Sequence, residues 1–528
     1  MRNSDLISAA RIPTHISPLT PHPAFLTCNL QLQEVLHPAF ISFLCTNEAL
    51  MSARVFVAMV VVACSVPLTA VGQTPAGAPP APTMTSSPLP TGRVTYRTYV
   101  EVMNELERIA KANPERVRRF ELPHQSLLGQ TIYGLEITHN VNASSGKPVF
   151  VMTGLHHARE WPTVELTMEF IYDLLKNDGV DPHFTALLDS VRFIAVPVVN
   201  ADGYEMSRSM LVEQKRRNCR MEAGKVPTFA DCANPANMRN GVDLNRNYGA
   251  FWGGSGASVS PAGDSHRGAA PFSEPEIQNM RELLASNQVV VALSNHTPDA
   301  KVLRVPSANE EPVPADVVPY DSLAQLLGGD LKWTAGPWPK IYYTASGTME
   351  EQAYYSAGTF AFTFENAPNQ PGSARFHPPY SFVIDQYFGT GAYPGSSSRA
   401  GYIRLLEAAA NPKLHSVLEV KAPAGATLTI HKSFTMETSP LLVTDVASDS
   451  TRGAAIKFTQ ELNSSLAVPK GADHVTWHVN PSLRPSQHGT EFIREAWRLT
   501  CSLNGQSQTV EVVVARGETK QVDVSRCR

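Results

Sequence analysis

Short apolar runs alternate with helical patterns between about residues 95 and 412, and this alternation constrains the fold more than any other feature. The runs contain few polar residues, which is typical of strands that are buried on both faces of a sheet. Strands separated by helices indicate an α/β domain around a mainly parallel sheet. The strands are predicted at residues 147–154, 191–199, 289–295 and 358–364, and helices at 163–177, 273–286 and 398–410.

A further helix is predicted before these elements and ends at Pro114, because proline cannot continue a helical hydrogen-bond pattern. Its apolar residues recur at a spacing that places them on one helical face. The residues of that face are Val100, Met103, Leu106 and Ile109.

Two segments of different composition flank the predicted α/β domain. Residues 73–94 are rich in Pro, Ala, Ser and Thr, a composition that buries nothing and predicts a semi-extended linker. Residues 413–528 show short alternating strands separated by Gly, Pro and Asn-Gly. This pattern predicts a small antiparallel β-sandwich that acts as an accessory domain.

The segment 51–72 has the parts of a signal peptide. Arg54 supplies the positive charge, an apolar run follows it, and small residues precede the linker. The apolar run is too short to cross a bilayer as a stable helix, so we expect no transmembrane helix in the mature chain. Translation is then expected to start at Met51, which makes residues 1–50 a non-native or disordered extension. A genuine N-terminal domain is the alternative.

Export predicts a secreted or periplasmic protein. The tetrapeptide VVAC, which ends at Cys64, loosely resembles a bacterial lipobox. Lipoprotein anchoring through Cys64 and ordinary cleavage after Gly72 are therefore both open.

Four of the seven cysteines follow the signal segment. Cys219 and Cys232 are close in sequence, and Cys501 and Cys527 flank the last hairpin-like segment. Because exported proteins meet oxidising conditions, two local disulfides are the simplest pairing. Four free thiols are the alternative.

The composition gives no sign of a nucleic-acid partner. A net charge of −4, with 17% charged and 43% hydrophobic residues, describes an ordinary soluble globular protein. No basic stripe that would bind phosphates is visible along the chain.

Histidines and carboxylates follow several of the predicted strands. In open α/β sheets ligands bind outside the carboxyl ends of the strands, so these positions are the first candidates for chemistry. Two histidines and a glutamate with an open position form a known catalytic zinc set. The candidate residues are His156, His157, Arg159 and Glu160 after the first strand, the NADGY motif after the second, His296 after the third and Glu365 after the fourth.

The spacing does not decide which of the two adjacent histidines would bind a metal. His156 lies four residues before Glu160 and His157 lies three before it. Either offset can place two side chains on one helical face.

The segment GLHHAREWP resembles the G-x-H-x-R-E-W signature of the zinc carboxypeptidases related to carboxypeptidases A, B and T. Further motifs follow in the order of that family, and the resemblance covers about residues 95–412. It implies a mixed eight-stranded sheet flanked by helices. The further motifs are NADGY, KRRNC, GVDLNRNY, SNH, YYTASG and FTFE.

The resemblance implies that one zinc ion per chain is bound by His157, Glu160 and His296, because the signature places the glutamate three positions after the liganding histidine. Asp243 falls where the family has a carboxylate that hydrogen-bonds the first zinc histidine. Glu365 matches the general base that takes a proton from the attacking water.

The same resemblance assigns residues that contact the substrate. Arg216 matches the arginine that stabilises the tetrahedral oxyanion, although a slip of one position would select Arg217 instead. Arg159 matches a residue that contacts the substrate one step upstream. The terminal carboxylate of the substrate would be bound by Asn245, Arg246 and Tyr343.

The specificity position of the family lies seven residues after its tyrosine, which gives Glu350 here, with Glu351 next to it. A buried carboxylate accepts a cation and disfavours an apolar side chain. Glu350 therefore predicts a preference for basic C-terminal residues.

These features predict an exported zinc metallocarboxypeptidase that acts on peptides or proteins. One alternative is a cell-wall peptidase of the same fold that cuts near diaminopimelate. Another is a catalytically inactive binding module in which the β-domain carries the function.

Overall fold

The computed structural model describes residues 85–367, 375–446 and 449–527. The predicted N-terminal extension, the signal segment, Cys64 and the linker up to residue 84 lie outside the described residues. Among the helices that the structure describes, none combines the length and the apolar character that a bilayer crossing requires.

An eight-stranded sheet, with the order β1-β2-β4-β3-β5-β8-β6-β7, forms the centre of the fold. Each of the four middle strands is parallel to its neighbours within that group. Strands β2 and β6 join this group in antiparallel fashion, so the sheet is mixed, as the family resemblance implies. The strands are β1 (Val117–Glu121), β2 (Tyr133–Ile137), β3 (Val149–Gly154), β4 (Arg192–Val196), β5 (Val289–His296), β6 (Lys301–Arg304), β7 (Thr334–Pro337) and β8 (Phe360–Glu365).

Helices α2, α9 and α11 pack against this sheet, which buries every residue of β3, β5 and β8. Burial on both faces explains why these strands are almost continuously apolar. The helices are α1 (Tyr99–Ala112), α2 (Pro162–Asn177), α3 (Pro182–Ser190), α4 (Ala201–Arg208), α5 (Phe229–Ala233), α6 (Pro275–Ser286), α7 (Val317–Leu331), α8 (Trp338–Ile341), α9 (Met349–Ala357), α10 (Tyr380–Phe388) and α11 (Ser398–Ala410), with 3-10 turns at Pro235–Asn237, Leu244–Arg246 and Pro412–Leu414.

Helix α1 begins with a capping box, in which Thr98 and Glu101 each bind the backbone N–H of the other. Its buried face differs from the predicted one. Tyr99 and Val102 are buried together with Leu106 and Ile109, whereas Val100 is 63% exposed. The prediction for Val100 was wrong because an apolar residue one position outside the buried stripe points to solvent.

The last residues of the predicted linker pack on the α/β core. Leu89 is buried, and Thr91 donates its backbone N–H and its hydroxyl to the carboxylate of Glu169, at 3.0 and 2.6 Å. We expected no residue of this linker to be buried, and that expectation is wrong for these residues.

The C-terminal strands form a four-stranded sheet, β13-β10-β17-β18, and a three-stranded sheet, β14-β9-β19. Together they resemble the predicted β-sandwich, except that β19 pairs with β9 in parallel. The strands are β9 (Ser416–Lys421), β10 (Thr427–Glu437), β11 (Leu441–Leu442), β12 (Arg452–Gly453), β13 (Lys457–Ala467), β14 (His474–Val479), β15 (Leu483–Pro485), β16 (Phe492–Arg494), β17 (Trp497–Leu503), β18 (Gln506–Val512) and β19 (Thr519–Asp523).

Two disulfides close local loops. Cys219 is bonded to Cys232, with 5.4 Å between their Cα atoms, and Cys501 is bonded to Cys527, with 5.8 Å. Both pairings predicted from the sequence are confirmed.

Arg516 links the C-terminal strands to the α/β part. Its guanidinium donates to both carboxylate oxygens of Asp316, at 3.0 and 2.8 Å, and to the carbonyl oxygen of Gly358 at 2.6 Å. The side chain also lies over the Phe360 ring at 4.1 Å. A single residue therefore joins an ion pair, a backbone contact and an aromatic contact.

We expect Arg516→Ala to lower the free energy of unfolding by about 3 kcal/mol, because it leaves the nearly buried Asp316 without its cation. Denaturant unfolding measures this change. Arg498→Ala, at an exposed position of β17, is the control and should stay within about 0.5 kcal/mol of the wild type. An equally small effect of Arg516→Ala would contradict the interpretation.

Candidate functional site

The sheet register brings the sequence-predicted residues to one edge. Gly154, the last residue of β3, pairs with Asn295 of β5, and His296 pairs with Glu365 at the ends of β5 and β8. Because parallel strands end at the same edge, the loop after β3 places His157 beside His296. Side chains that are far apart in sequence therefore meet at the carboxyl ends of three neighbouring strands.

His157, Glu160 and His296 form the one cluster of three potential metal-ligating side chains that the described part of the chain contains. The Nδ1 atoms of His157 and His296 are 3.0 Å apart. Each also contacts the Glu160 carboxylate, at 2.7 Å for His157 and 3.0 Å for His296. Donors of a tetrahedral zinc site lie about 3.3 Å apart, so this buried set fits Zn²⁺.

The outer ring nitrogens of both histidines have polar partners. His157 Nε2 lies 3.1 Å from Asp243 Oδ1, as the family resemblance implies. His296 Nε2 lies 2.9 Å from the hydroxyl of Ser294. Such contacts fix the ring orientation and direct the Nδ1 lone pair towards a metal.

His156 faces away from the Nδ1 atoms of the cluster. Its Nε2 lies 2.8 Å from the hydroxyl of Tyr248, and its Nδ1 lies 3.0 Å from the Ser294 hydroxyl. Ser294 thus bridges His156 and His296. The roles of Ser294 and Tyr248 were not predicted from the sequence, although the period-2 pattern of a strand places Ser294 on the same face as His296.

The charges of this cluster suit metal binding. Burial would raise the pKa of Glu160, but the two histidines lower it, so this carboxylate stays ionised. Burial and the charge of His157 lower the pKa of His296 to about 4, so its imidazole is neutral near pH 7. An ionised carboxylate and a neutral imidazole are the forms that bind zinc.

The two arginine candidates lie in different surroundings. Arg216 Nη2 donates to Asp243 Oδ2 at 2.7 Å, and Arg216 Nη1 lies 3.0 Å from His157 Nδ1. Arg217 donates instead to the carbonyl oxygens of Pro261 and Gly263, both at 2.7 Å. Of the two, Arg216 lies against the cluster. A cation bound at the cluster would repel the Arg216 guanidinium. The hydrogen bond to Asp243 holds the guanidinium in place against this repulsion.

Asn245 and Arg246 lie in the 3-10 turn that follows Asp243. Arg246 Nε donates to the carbonyl oxygen of Gly256 at 3.1 Å, and its Nη1 donates to that of Asn245 at 2.7 Å. A guanidinium has five N–H donors, so donors remain for a ligand carboxylate. The centroid of the Tyr343 ring lies 6.0 Å from Arg246 Cζ, and Tyr343 is 42% exposed. These side chains can therefore approach one anion together.

Glu365 ends β8 and is 5% exposed. Burial raises its pKa, and the charge of Glu160 acts in the same direction, whereas Arg216 and Arg246 oppose it. A carboxyl group with a raised pKa accepts a proton more readily than an ordinary glutamate.

Glu350 lies in the first turn of α9, fully buried. Its Oε1 accepts hydrogen bonds from Trp338 Nε1 at 3.0 Å and from Thr363 Oγ1 at 2.7 Å. Its Oε2 has no hydrogen-bond partner among the described residues. Burial raises the pKa of Glu350. The neighbouring Glu351 has a different role, because its carboxylate forms the capping box of α9.

Arg159 lies beside the cluster and packs over the Phe376 ring at 4.2 Å. Burial lowers the pKa of Arg159, and the positive charge of Arg216 acts in the same direction. The structure thus brings Arg159 to the same edge of the sheet as the other predicted residues.

Comparison with known proteins identifies relatives of this chain. The sequence profile of a family described as zinc carboxypeptidase matches residues 102–387. Carboxypeptidase A2 of Rattus norvegicus is 29% identical over 277 residues, and carboxypeptidase B of Bos taurus is 29% identical over 279 residues. Each match covers 51% of this chain and 62% of the relative, so the chain spans about three fifths of the length of these relatives.

A solved structure has the same fold. The crystal structure of carboxypeptidase A from Helicoverpa armigera aligns with a TM-score of 0.51 at 24% sequence identity. The alignment covers 60% of this chain and 74% of that chain.

Two variants separate the adjacent histidines. We expect His157→Ala to lose bound zinc, because it removes one of three ligands, and His156→Ala to retain most of it, because the ring nitrogens of His156 contact Ser294 and Tyr248 and are not part of the ligand cluster. Metal analysis of the purified, dialysed proteins measures zinc per chain. Retained zinc in His157→Ala together with lost zinc in His156→Ala would reverse the assignment.

Proposed function

The chain belongs to the zinc carboxypeptidase family, and on that premise we propose that it is an exported zinc metallocarboxypeptidase that hydrolyses the C-terminal peptide bond of peptides or proteins. The observation that supports this most is the convergence of His157, Glu160 and His296 beside Glu365 at one sheet edge. A module without catalysis would not need a buried glutamate opposite a metal-ligating histidine.

One Zn²⁺ per chain fits the three ligand atoms of His157, Glu160 and His296. When bound, zinc would lower the pKa of a coordinated water and polarise the scissile carbonyl. Asp243 keeps His157 in the orientation that directs Nδ1 inward. Ser294 does the same for His296.

Arg246, Asn245 and Tyr343 bind the terminal carboxylate of the substrate. The remaining N–H donors of Arg246 suit a bidentate contact with a carboxylate. A substrate without a free C-terminal carboxylate would leave the buried guanidinium of Arg246 without an anionic partner. Such a substrate would bind more weakly and is therefore disfavoured. Arg159 contacts the substrate one residue upstream. Carboxylate binding therefore makes the enzyme an exopeptidase.

Glu365 accepts a proton from the attacking water and then donates it to the leaving amine. Burial raises its pKa, which makes it a stronger proton acceptor than an ordinary glutamate. Arg216 stabilises the negative charge that develops on the carbonyl oxygen, because a fixed guanidinium near that oxygen needs little reorganisation.

Export is proposed from the signal-like segment 51–72 and is supported by the two disulfides. The protein is then secreted or periplasmic, with lipoprotein anchoring through Cys64 as the alternative mode. We also propose that residues 95–412 form the catalytic domain and residues 413–528 the accessory domain.

We expect residues 73–528 to release the C-terminal amino acid from blocked dipeptides and to lose this activity when a chelator removes zinc.

Glu365→Gln should lower kcat by about 100-fold or more while it keeps zinc, since the general base is removed and the ligands stay. Glu282→Gln, at an exposed position, is the matched control. Release that is insensitive to the chelator would refute the zinc mechanism, and no release at all would favour an inactive module.

Glu350 is proposed to select basic C-terminal residues through its unpaired Oε2. Its raised pKa means that acid protonates it and removes the charge that attracts a cation. The ratio of kcat/KM for Arg-ending over Phe-ending substrates should therefore rise as the pH increases from about 5 to 8.

Glu350→Gln should lower this ratio by about 10-fold or more at pH 8 and remove its pH dependence. Glu365 acts on both substrates, so its titration cancels in the ratio. A ratio that Glu350→Gln leaves unchanged would show that Glu350 does not set specificity.

A further inference from the structure

A segment of the C-terminal part, residues 439–445, lies against a loop of the α/β part, residues 253–260. We call these the strap and the 253–260 loop. Asp445 accepts three hydrogen bonds from the loop: from Ser258 Oγ at 2.7 Å, from Val259 N at 2.8 Å and from Ser260 N at 3.0 Å. In addition, the N–H of Leu442 donates to the carbonyl oxygen of Gly253 at 2.8 Å.

The opposite side of the 253–260 loop contacts the proposed carboxylate-binding residues. The carbonyl oxygen of Gly256 accepts a hydrogen bond from Arg246 Nε at 3.1 Å. A Cβ atom on Gly256 would lie 2.0 Å from the carbonyl oxygen of Thr344, the residue that follows Tyr343. The loop therefore lies between the strap and the two residues that would bind the substrate carboxylate.

The sequence of the loop, GGSGASVS, is rich in small residues and favours no single backbone conformation. Glycine and serine give a chain with high backbone entropy, and three of the first four residues are glycine. The 253–260 loop therefore depends on contacts from outside. Asp445 provides three of them, and Glu310 provides another by accepting from Ser255 N at 2.6 Å. Residues 265–267 add backbone contacts at Ser258 and a hydrogen bond from Arg267 Nη1 to the carbonyl oxygen of Gly253 at 3.1 Å.

We propose that the strap is a positioning element for substrate binding and that Asp445 is its principal positioning residue. By fixing the 253–260 loop, Asp445 holds the Gly256 carbonyl that orients Arg246 towards the terminal carboxylate of the peptide. Asp445 does not contact the substrate. This inference rests on the proposed function, and it assigns to the C-terminal part a role in carboxylate binding.

Loss of the strap contacts should weaken substrate binding strongly and slow the chemical step only slightly. We expect Asp445→Ala to raise KM about 5- to 10-fold while kcat stays within about 2-fold, because Arg246 binds the ground state and the transition state alike. Asp445→Asn should lie between the wild type and Asp445→Ala, because its amide oxygen still accepts hydrogen bonds. The full zinc-loaded chain is used throughout.

Two measurements do not depend on turnover. Calorimetry should show weaker binding of the free amino acid that the reaction releases, by the same factor as the rise in KM. Hydrogen exchange should become faster in the 253–260 loop of Asp445→Ala, while zinc per chain stays the same. Asp449→Ala is the matched control, since Asp449 lies on the same hairpin and its carboxylate accepts from Thr451 within that hairpin.

Unchanged KM, or unchanged exchange in the 253–260 loop of Asp445→Ala, would overturn the proposal, as would a lower kcat with unchanged KM. If the wild type releases no amino acid, the proposed function fails. Hydrogen exchange and amino acid binding then still decide whether Asp445 positions the loop and Arg246.

Discussion

The parallel register of β3, β5 and β8 is the constraint on which the site depends. It places Gly154 beside Asn295 and His296 beside Glu365 through backbone hydrogen bonds between three fully buried strands. A slip of one residue would turn His296 to the other face of the sheet and would separate it from His157. The near-continuous apolar sequence of these strands therefore fixes the geometry of the polar residues that follow them.

The ligand set and its neighbours can be buried because their charges are paired with one another. Glu160 lies between His157 and His296, while Asp243 contacts both His157 and Arg216. An unpaired buried charge would cost several kcal/mol, so removal of one member leaves its neighbours destabilised. Burial raises the pKa of Glu365, and the charges of Glu160 and Asp299 add to this effect, whereas Arg216 and Arg246 oppose it. Burial thus gives the proposed base its affinity for a proton, while the two histidines keep Glu160 ionised against the same effect.

The sequence predicted the four central strands because burial on both faces makes them apolar, and it missed the outer strands β1, β2, β6 and β7. Segments such as VRRFE and TAGP carry charges or glycine and proline, since they form the outermost strands of the sheet. The motif residues were predicted because each lies in a short stretch of sequence that resembles a motif of the family, whereas spacing alone left His156 and His157 both open. Ser294 and Asp445 were not, because their roles arise from contacts with residues distant in the chain: His156, 138 positions from Ser294, and Ser258, 187 positions from Asp445.

The attachment of the C-terminal strands explains how a part without catalytic residues can affect a distant binding site. Its buried apolar residues belong to the same core cluster as those of the α/β part, and Arg516 adds a polar contact. A flexible β-module could not fix a glycine-rich loop, because the strap would move as much as the loop that it contacts. In the proposal, the shared core and the contacts of Arg516 hold the C-terminal part against the α/β part, so that Asp445 can position the loop. The entropy that the 253–260 loop loses is thereby offset by hydrogen bonds from a second, firmly packed part of the chain.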